Sequence, residues 1–150
     1  SVMSAILILA MAYCINSISG TLGTASYVIS ITESWMTPTL LLVVTYLVCA
    51  FISFFTGTSW GVFAIMVPIA VPMAFNLTGG ELGPVVYASI GAIMGGGTFG
   101  DHCSPLSDTT ILSSLAAGSD HVDHVKTQIP YAMCAAGLAC LGYLAIGLTL

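Results

Sequence analysis

The segment GTFGDHCSPLSDTT, residues 97–110, gathers polar side chains in a chain that is otherwise apolar. It contains two carboxylic acids, Asp101 and Asp108, and an imidazole and a thiol directly follow the first of them. After the first aspartate, four side chains offer hydroxyl oxygens: Ser104, Ser107, Thr109 and Thr110. Carboxylate and neutral oxygen atoms are the ligands that hard cations prefer. These residue types therefore predict a site for a hard monovalent cation such as sodium.

Neither aspartate has a basic residue near it in sequence, because Lys126 is the only Lys or Arg against six acids. A carboxylate at membrane depth is costly and marks a functional site by default. Either a bound cation or protonation would make it tolerable there. Desolvation raises the pKa of a carboxylic acid and a cation at the same oxygens lowers it, so the two would compete for one group. That competition is the physical basis of cation/proton exchange, with sodium and protons as cargo and without a cofactor.

Zinc binding and hydrolysis are weaker interpretations of the same residues. Possible zinc ligands occur in two short clusters, at residues 101–103 and residues 121–124. Adjacent residues rarely reach one metal, and the CxxC and HExxH spacings of zinc sites are absent. A nucleophile elbow around Ser104 or Cys103 is also absent. We therefore do not expect an enzyme, and His121 and His124 are either solvated or a pH-responsive pair.

The composition predicts an integral membrane protein. Hydrophobic residues make up 57% of the 150 residues and charged residues 5%, whereas soluble domains carry about 25% charged residues. Four stretches lack charge, at residues 1–32, 34–80, 82–100 and 127–150, and a helix needs roughly 20 apolar residues to span a bilayer. We expect one multi-pass membrane domain over residues 1–150, in lipid. Nucleic-acid binding is excluded, because phosphate contacts need Lys and Arg.

The positions of Gly, Pro and polar residues predict the elements that would hold the polar segment. Helical segments are expected at residues 2–15, 38–55, 62–75, 85–94, 106–117 and 130–150, with an aqueous loop at 118–128. Three glycines at 95–97 invite unwinding, which would expose carbonyl oxygens over residues 97–100 until Pro105 starts a new half-helix. The single lysine of the loop favours the cytoplasmic side.

A second polar patch, Thr56 to Ser59, interrupts the uncharged stretch at 34–80. That stretch is too long for one straight span and barely enough for two, so it predicts a helix, a polar tip and a return segment. Pro68 and Pro72 weaken the return segment as a regular helix. The expected fold is all-α: a multi-span membrane helical bundle with a re-entrant hairpin and a broken helix.

Two motifs, TGTSWGVFAIMVPIA at 56–70 and GTFGDHCSPLSDTTILSSLAAGSDHVDHVKTQIPYA at 97–132, resemble the NhaC-type sodium/proton antiporter family of the ion transporter superfamily. The resemblance implies two inverted repeats, each with a re-entrant hairpin and a broken helix. This chain would be the C-terminal repeat, and its partner would be an N-terminal repeat of the same protein. Relatives exchange sodium for protons, and some couple these ions to organic anions such as malate and lactate.

The leading hypothesis is a sodium/proton antiporter of a bacterial-type inner membrane, with Asp101 and Asp108 as sodium-binding exchange carboxylates. A second copy of the protein, forming a homodimer, is one of the partners considered. The expected ion- and substrate-binding residues are Thr56, Thr58, Ser59, Asp101, His102, Ser104, Ser107, Asp108 and Thr109, with His102 as a proton relay. One alternative is a sodium- or proton-coupled carrier of organic anions or amino acids. Another is a membrane assembly domain without transport, packed through small residues.

Overall fold

The protein is described by a computed structural model that covers residues 21–32 and 35–150, together with four single positions before residue 21. Within this part every regular element is a helix, which confirms the predicted all-α class at that level. The helix predicted over residues 2–15 lies almost wholly outside the described residues, and so does Glu33.

Six helices follow one another along the described chain. They are α1 (Thr24–Thr32), α2 (Pro38–Thr56), α3 (Ser59–Leu77), α4 (Pro84–Cys103), α5 (Asp108–Ala116) and α6 (His121–Thr149). Three of them, α2, α3 and α6, are long and apolar enough to cross a membrane. The hydrophobic core lies where α2, α3 and α4 meet, with Leu42, Val62, Val86 and Ile93 almost fully buried.

The hairpin of α2 and α3 has sharply defined ends. Pro38 occupies the first turn of α2, as predicted, and the Thr37 hydroxyl accepts a hydrogen bond from the Leu40 N–H at 3.2 Å. At the other end, Gly57 adopts a left-handed φ of 69° and its N–H donates to the Ser53 carbonyl. Only Gly57 and Thr58 separate the two helices, so the predicted polar tip is a tight turn.

The prediction that Pro68 and Pro72 weaken the return segment as a regular helix is wrong. Both prolines lie inside α3, which is one continuous helix of 19 residues. Each proline removes one backbone hydrogen bond. Membrane helices tolerate this where neighbouring helices and local adjustments compensate, and α3 packs against both α2 and α4.

The predicted unwinding at residues 95–97 is also wrong, since α4 remains helical to Cys103. The glycines serve close packing instead. A Cβ at Gly96 would lie 2.5 Å from the Tyr46 carbonyl oxygen, and one at Gly100 would overlap the backbone of Ser53 and Phe54. Small residues of this kind let two helix backbones approach each other. The carbonyls of residues 97–100 therefore stay within the helix.

The two helices after the break differ from their predicted bounds. The helix expected from residue 106 begins at Asp108, after the Ser107 N-cap. Most of the loop expected at 118–128 is the first part of α6, which starts at His121 and runs through Pro130. Asp120 explains this start, because its carboxylate accepts hydrogen bonds from the N–H groups of residues 122 and 123.

Candidate functional site

Between α4 and α5 the chain leaves helical geometry at residues 104–107, a segment that we call the α4–α5 turn. Pro105 disfavours the helical conformation in the residue before it, and Ser104 is extended, with φ −70° and ψ 134°. The Ser104 hydroxyl then accepts the Leu106 N–H at 3.1 Å. Ser104 is completely buried, so its hydroxyl shapes the turn.

The hairpin tip contacts this turn directly. A Cβ on Gly57 would lie 2.7 Å from the carbonyl carbon and oxygen of Leu106, so only glycine fits between the two backbones. The two polar patches of the sequence, at 56–59 and 97–110, are therefore brought together.

Asp101, near the end of α4, is the centre of the polar contacts. The Ser107 hydroxyl donates to its Oδ1 at 2.9 Å, and the Thr109 hydroxyl donates to its Oδ2 at 3.2 Å. The carboxylate thus connects α4 to the start of α5 across the turn. It is half-buried, and its two oxygens have different surroundings, because Ser107 is buried and Thr109 is exposed.

Ser107 is engaged on both sides. While its hydroxyl donates to Asp101, the same oxygen accepts the Thr109 N–H at 3.2 Å as the N-cap of α5. Thr110 adds a contact that the sequence did not predict. Its hydroxyl lies 3.3 Å from the Asp101 carbonyl oxygen and 3.1 Å from the His102 carbonyl oxygen. These carbonyls end α4 and lack a helical partner, so Thr110 satisfies them.

Asp108 differs from Asp101 in its surroundings. It is exposed in the first turn of α5, where the helix dipole favours a negative charge. Among the described residues its carboxylate shares no hydrogen-bond partner with Asp101. The same part of the chain contains no group of three or more His, Cys, Asp or Glu residues that could hold a metal ion.

His102 points away from the Asp101 hydroxyl contacts. Its Nδ1 donates to the Thr98 carbonyl at 3.0 Å, because a carbonyl can only accept. The imidazole lines an open groove of about 450 Å³ between α4 and α6, together with Tyr46, Gln128 and Tyr131. Asp101 does not line this groove.

The hydroxyls of the hairpin tip are partly free. Thr56 donates to the carbonyl of Ile52 at 2.8 Å within its own helix. Thr58 and Ser59 are half-buried and make no side-chain hydrogen bond within the described chain. Their oxygens are therefore available to a ligand at the tip.

Two further contacts around the site have no signal in the sequence. The Ser53 hydroxyl donates to the Gly97 carbonyl, which fastens α2 to α4 one turn before Asp101. The imidazole of His121, at the start of α6, contacts the Pro105 carbonyl of the α4–α5 turn. Both contacts join positions that are distant in sequence, and only the helix packing reveals them.

The only basic side chain is not at the site. Lys126 lies 3.7 Å from Asp123, and both side chains are more than 70% exposed. Asp101 consequently has no cationic side chain to neutralise it within the described residues.

Comparison with known proteins places the chain among antiporters. The model of the Na⁺/H⁺ antiporter family matches residues 1–148. An uncharacterized protein of Haemophilus influenzae is 44% identical over 99% of this chain and 28% of its own length. The Na⁺/H⁺ antiporter NhaC of Alkalihalophilus pseudofirmus is 38% identical over 62% of the chain and 19% of its own length. The malate-2H⁺/Na⁺-lactate antiporter of Bacillus subtilis is 36% identical over 61% of the chain and 19% of its own length.

No solved structure matches the chain significantly. The chain spans less than a third of the length of these relatives. The family named by the resemblance of the two motifs is confirmed, and it is a family of membrane transporters. The chain belongs to the Na⁺/H⁺ antiporter family.

Proposed function

We propose that the full-length protein carrying this chain is a sodium/proton antiporter in which Asp101 holds a sodium ion or a proton in alternation. The observation that carries this proposal is the Asp101 carboxylate at a helix break, bonded by two hydroxyls and unpaired with any described basic side chain. A carboxylate in that setting favours a counter-charge from outside the described residues. A sodium ion or a proton would supply it in the proposed mechanism.

The hydroxyls leave room for a cation beside the carboxylate. Ser107 uses its hydrogen on Asp101 and one lone pair on the Thr109 N–H. Thr109 uses only its hydrogen on Asp101, so both lone pairs of its hydroxyl stay available. A sodium ion at Oδ2 would therefore find the Thr109 oxygen next to it. The half-buried tip residues Thr58 and Ser59 offer further hydroxyl oxygens.

Proton binding fits the same side of the carboxylate. A protonated oxygen becomes a donor, so a hydroxyl beside it has to turn and accept. Thr109 is free to turn, whereas Ser107 is fixed by its second bond to the backbone of α5. We place both the proton and the cation at Oδ2, which makes their binding mutually exclusive.

The test is sodium-driven proton movement in proteoliposomes containing the full-length protein and an internal pH-sensitive dye. Asp101→Asn retains the shape of the side chain and removes its charge, so we expect it to abolish exchange. Asp123→Asn is the matched control, because Asp123 is an exposed carboxylate bonded to Lys126, and it should exchange normally. Exchange that persists in Asp101→Asn would refute the carboxylate mechanism.

The same assay separates the roles of the other predicted ligands. Thr109→Val removes the hydroxyl at nearly constant shape and should raise the KM for sodium several-fold. Asp108→Asn tests the second predicted carboxylate. Because Asp108 is exposed and shares no bond with Asp101, we expect a smaller loss of exchange than for Asp101→Asn.

A second candidate is coupled transport of an organic anion, which the relative named malate-2H⁺/Na⁺-lactate antiporter favours. This chain contains no arginine to clamp a carboxylate. Residues elsewhere in the full-length protein or helix N-termini would have to bind it. Sodium-dependent uptake of labelled malate or lactate into the same proteoliposomes would identify this cargo, and its absence would leave ion exchange alone.

A further inference from the structure

His121 joins three elements around the helix break. It is the first residue of α6, and its Nε2 lies 2.9 Å from the carbonyl oxygen of Pro105 in the α4–α5 turn. Its Nδ1 lies 3.2 Å from the hydroxyl of Ser114 on α5. Ser114 is 1% exposed, so this side of the imidazole is enclosed.

The chemistry of the partners fixes the proton on one nitrogen. A carbonyl oxygen only accepts, so Nε2 must carry hydrogen and donate to Pro105. Ser114 has a second partner, the Ile111 carbonyl at 2.8 Å. In neutral histidine the Ser114 hydroxyl donates to Nδ1. In the imidazolium Nδ1–H donates to Ser114, and the hydroxyl hydrogen turns to Ile111.

The bond from Nε2 to Pro105 is therefore present in both protonation states of His121. This matters for the site because the same turn carries Ser107, which holds Asp101. The Leu106 backbone of the turn also lies against Gly57 of the hairpin tip. The imidazole consequently fixes the turn from the α6 side, while the tip fixes it from the α3 side.

We propose that His121 is a positioning residue for ion exchange: its Nε2–H holds the α4–α5 turn, and through Ser107 the Asp101 carboxylate, in register with α6. This rests on the proposed function of Asp101. This proposal differs from the two interpretations of the sequence, a solvated histidine or a pH-responsive one. In it, His121 makes a structural hydrogen bond that is present in both of its protonation states.

Other ionisable groups lie on the elements packed around His121. They are Asp101, His102 and Cys103 at the end of α4, Asp108 on α5, and Asp120, Asp123, His124 and Lys126 around the start of α6. None of these side chains forms a hydrogen bond with the imidazole in the described structure. The imidazole is therefore held by Pro105 and Ser114 and by none of these ionisable side chains.

The experiment compares His121→Ala with His121→Gln in proteoliposomes containing the full-length protein. Gln retains an N–H donor at the end of a side chain of similar reach and does not titrate. We expect His121→Ala to lower the exchange rate by about tenfold, in line with the loss of one hydrogen bond. His121→Gln should restore most of the rate and show the pH profile of the wild type. His124→Gln, three residues further on, is the matched control and should leave the rate unchanged.

Three results would overturn the proposal: a wild-type rate in His121→Ala, an equal loss in a folded His121→Gln, or a shifted pH profile in His121→Gln. Hydrogen–deuterium exchange gives an independent readout if the protein does not exchange sodium for protons at all. The amides of Leu106 and Ser107 should exchange about tenfold faster in His121→Ala than in the wild type or His121→Gln. Unchanged protection would refute the role of the His121–Pro105 bond in holding the turn, whereas the failure of Asp101→Asn to alter transport would refute only the proposed function.

Discussion

Thr110 shows how one hydroxyl can hold the end of a helix. It reaches across the α4–α5 turn to two carbonyls of α4 and is 2% exposed. Thr110→Val preserves the shape and leaves these part-buried carbonyls without the Thr110 donor, so we expect a loss of about 1–3 kcal/mol of stability. Thr110→Ser should lose less. Thermal unfolding of the purified protein in detergent measures both.

Thr127→Val is the control for this prediction. Thr127 also donates to two carbonyls, those of Asp123 and His124, but both belong to its own helix and the side chain is exposed. Its replacement should change stability by less than about 0.5 kcal/mol. Equal unfolding temperatures for the two valine variants would contradict the role given to Thr110.

For single residues, the sequence predicts which residue types form the site better than it predicts their hydrogen-bond partners. The density of acids and hydroxyls in residues 97–110 identifies the site region. The sequence treats Asp101 and Asp108 alike, yet only Asp101 accepts bonds from Ser107 and Thr109. That difference arises because the chain turns at residues 104–107 and folds α5 back towards the end of α4, and spacing alone does not encode the direction of that turn.

Among the elements, the glycines of α4 have the opposite effect from the one predicted. A run of glycines permits unwinding and also permits close helix packing. The choice between them depends on what lies opposite, and here it is the backbone and side chains of α2, Phe63 of α3 and Tyr143 of α6. Since those neighbours come from other parts of the chain, local sequence could not decide. The predicted Pro38 start was correct because capping is a local property.

Substituting these glycines tests the packing. Gly100→Ala places a Cβ against the backbone of Ser53 and Phe54, which cannot rotate away, so we expect a loss of about 1–3 kcal/mol. Gly142→Ala in α6 meets nothing within 4 Å and should be neutral or slightly stabilising. Unfolding temperatures in detergent compare the two, and a Gly100→Ala protein as stable as the wild type would contradict the close α2–α4 contact.

For the whole molecule, the length of α6 determines which parts meet lipid. Its 29 residues extend about 43 Å at 1.5 Å per residue, longer than the roughly 30 Å hydrocarbon core. We therefore expect the charged first turns, with Asp123 and Lys126, to extend beyond the apolar layer. The span predicted at 130–150 is the remaining apolar part of this longer helix.

Cysteine labelling in membrane vesicles checks this placement. Cys134 is exposed in the structure, yet it lies in the apolar part of α6, so a membrane-impermeant maleimide should not react with it from either side. His124→Cys, in the charged part, should react from one side. Rapid labelling of Cys134 in intact vesicles would contradict a lipid- or protein-covered α6. Only 6% of the most apolar part of this helix is buried within the chain, so lipid or the rest of the protein has to cover it.

The contact between Gly57 and Leu106 limits how this protein can evolve. Position 57 must satisfy two separate conditions, a left-handed backbone and the absence of a side chain against another backbone. A mutation elsewhere that made space for a methyl group at position 57 would still leave that residue strained at a left-handed φ. A change in the α2–α3 turn that removed the strain would still leave the methyl group in collision with the Leu106 backbone. Because a single compensating change cannot repair both, we expect substitution of Gly57 to be tolerated less well than substitution of its neighbour Thr56.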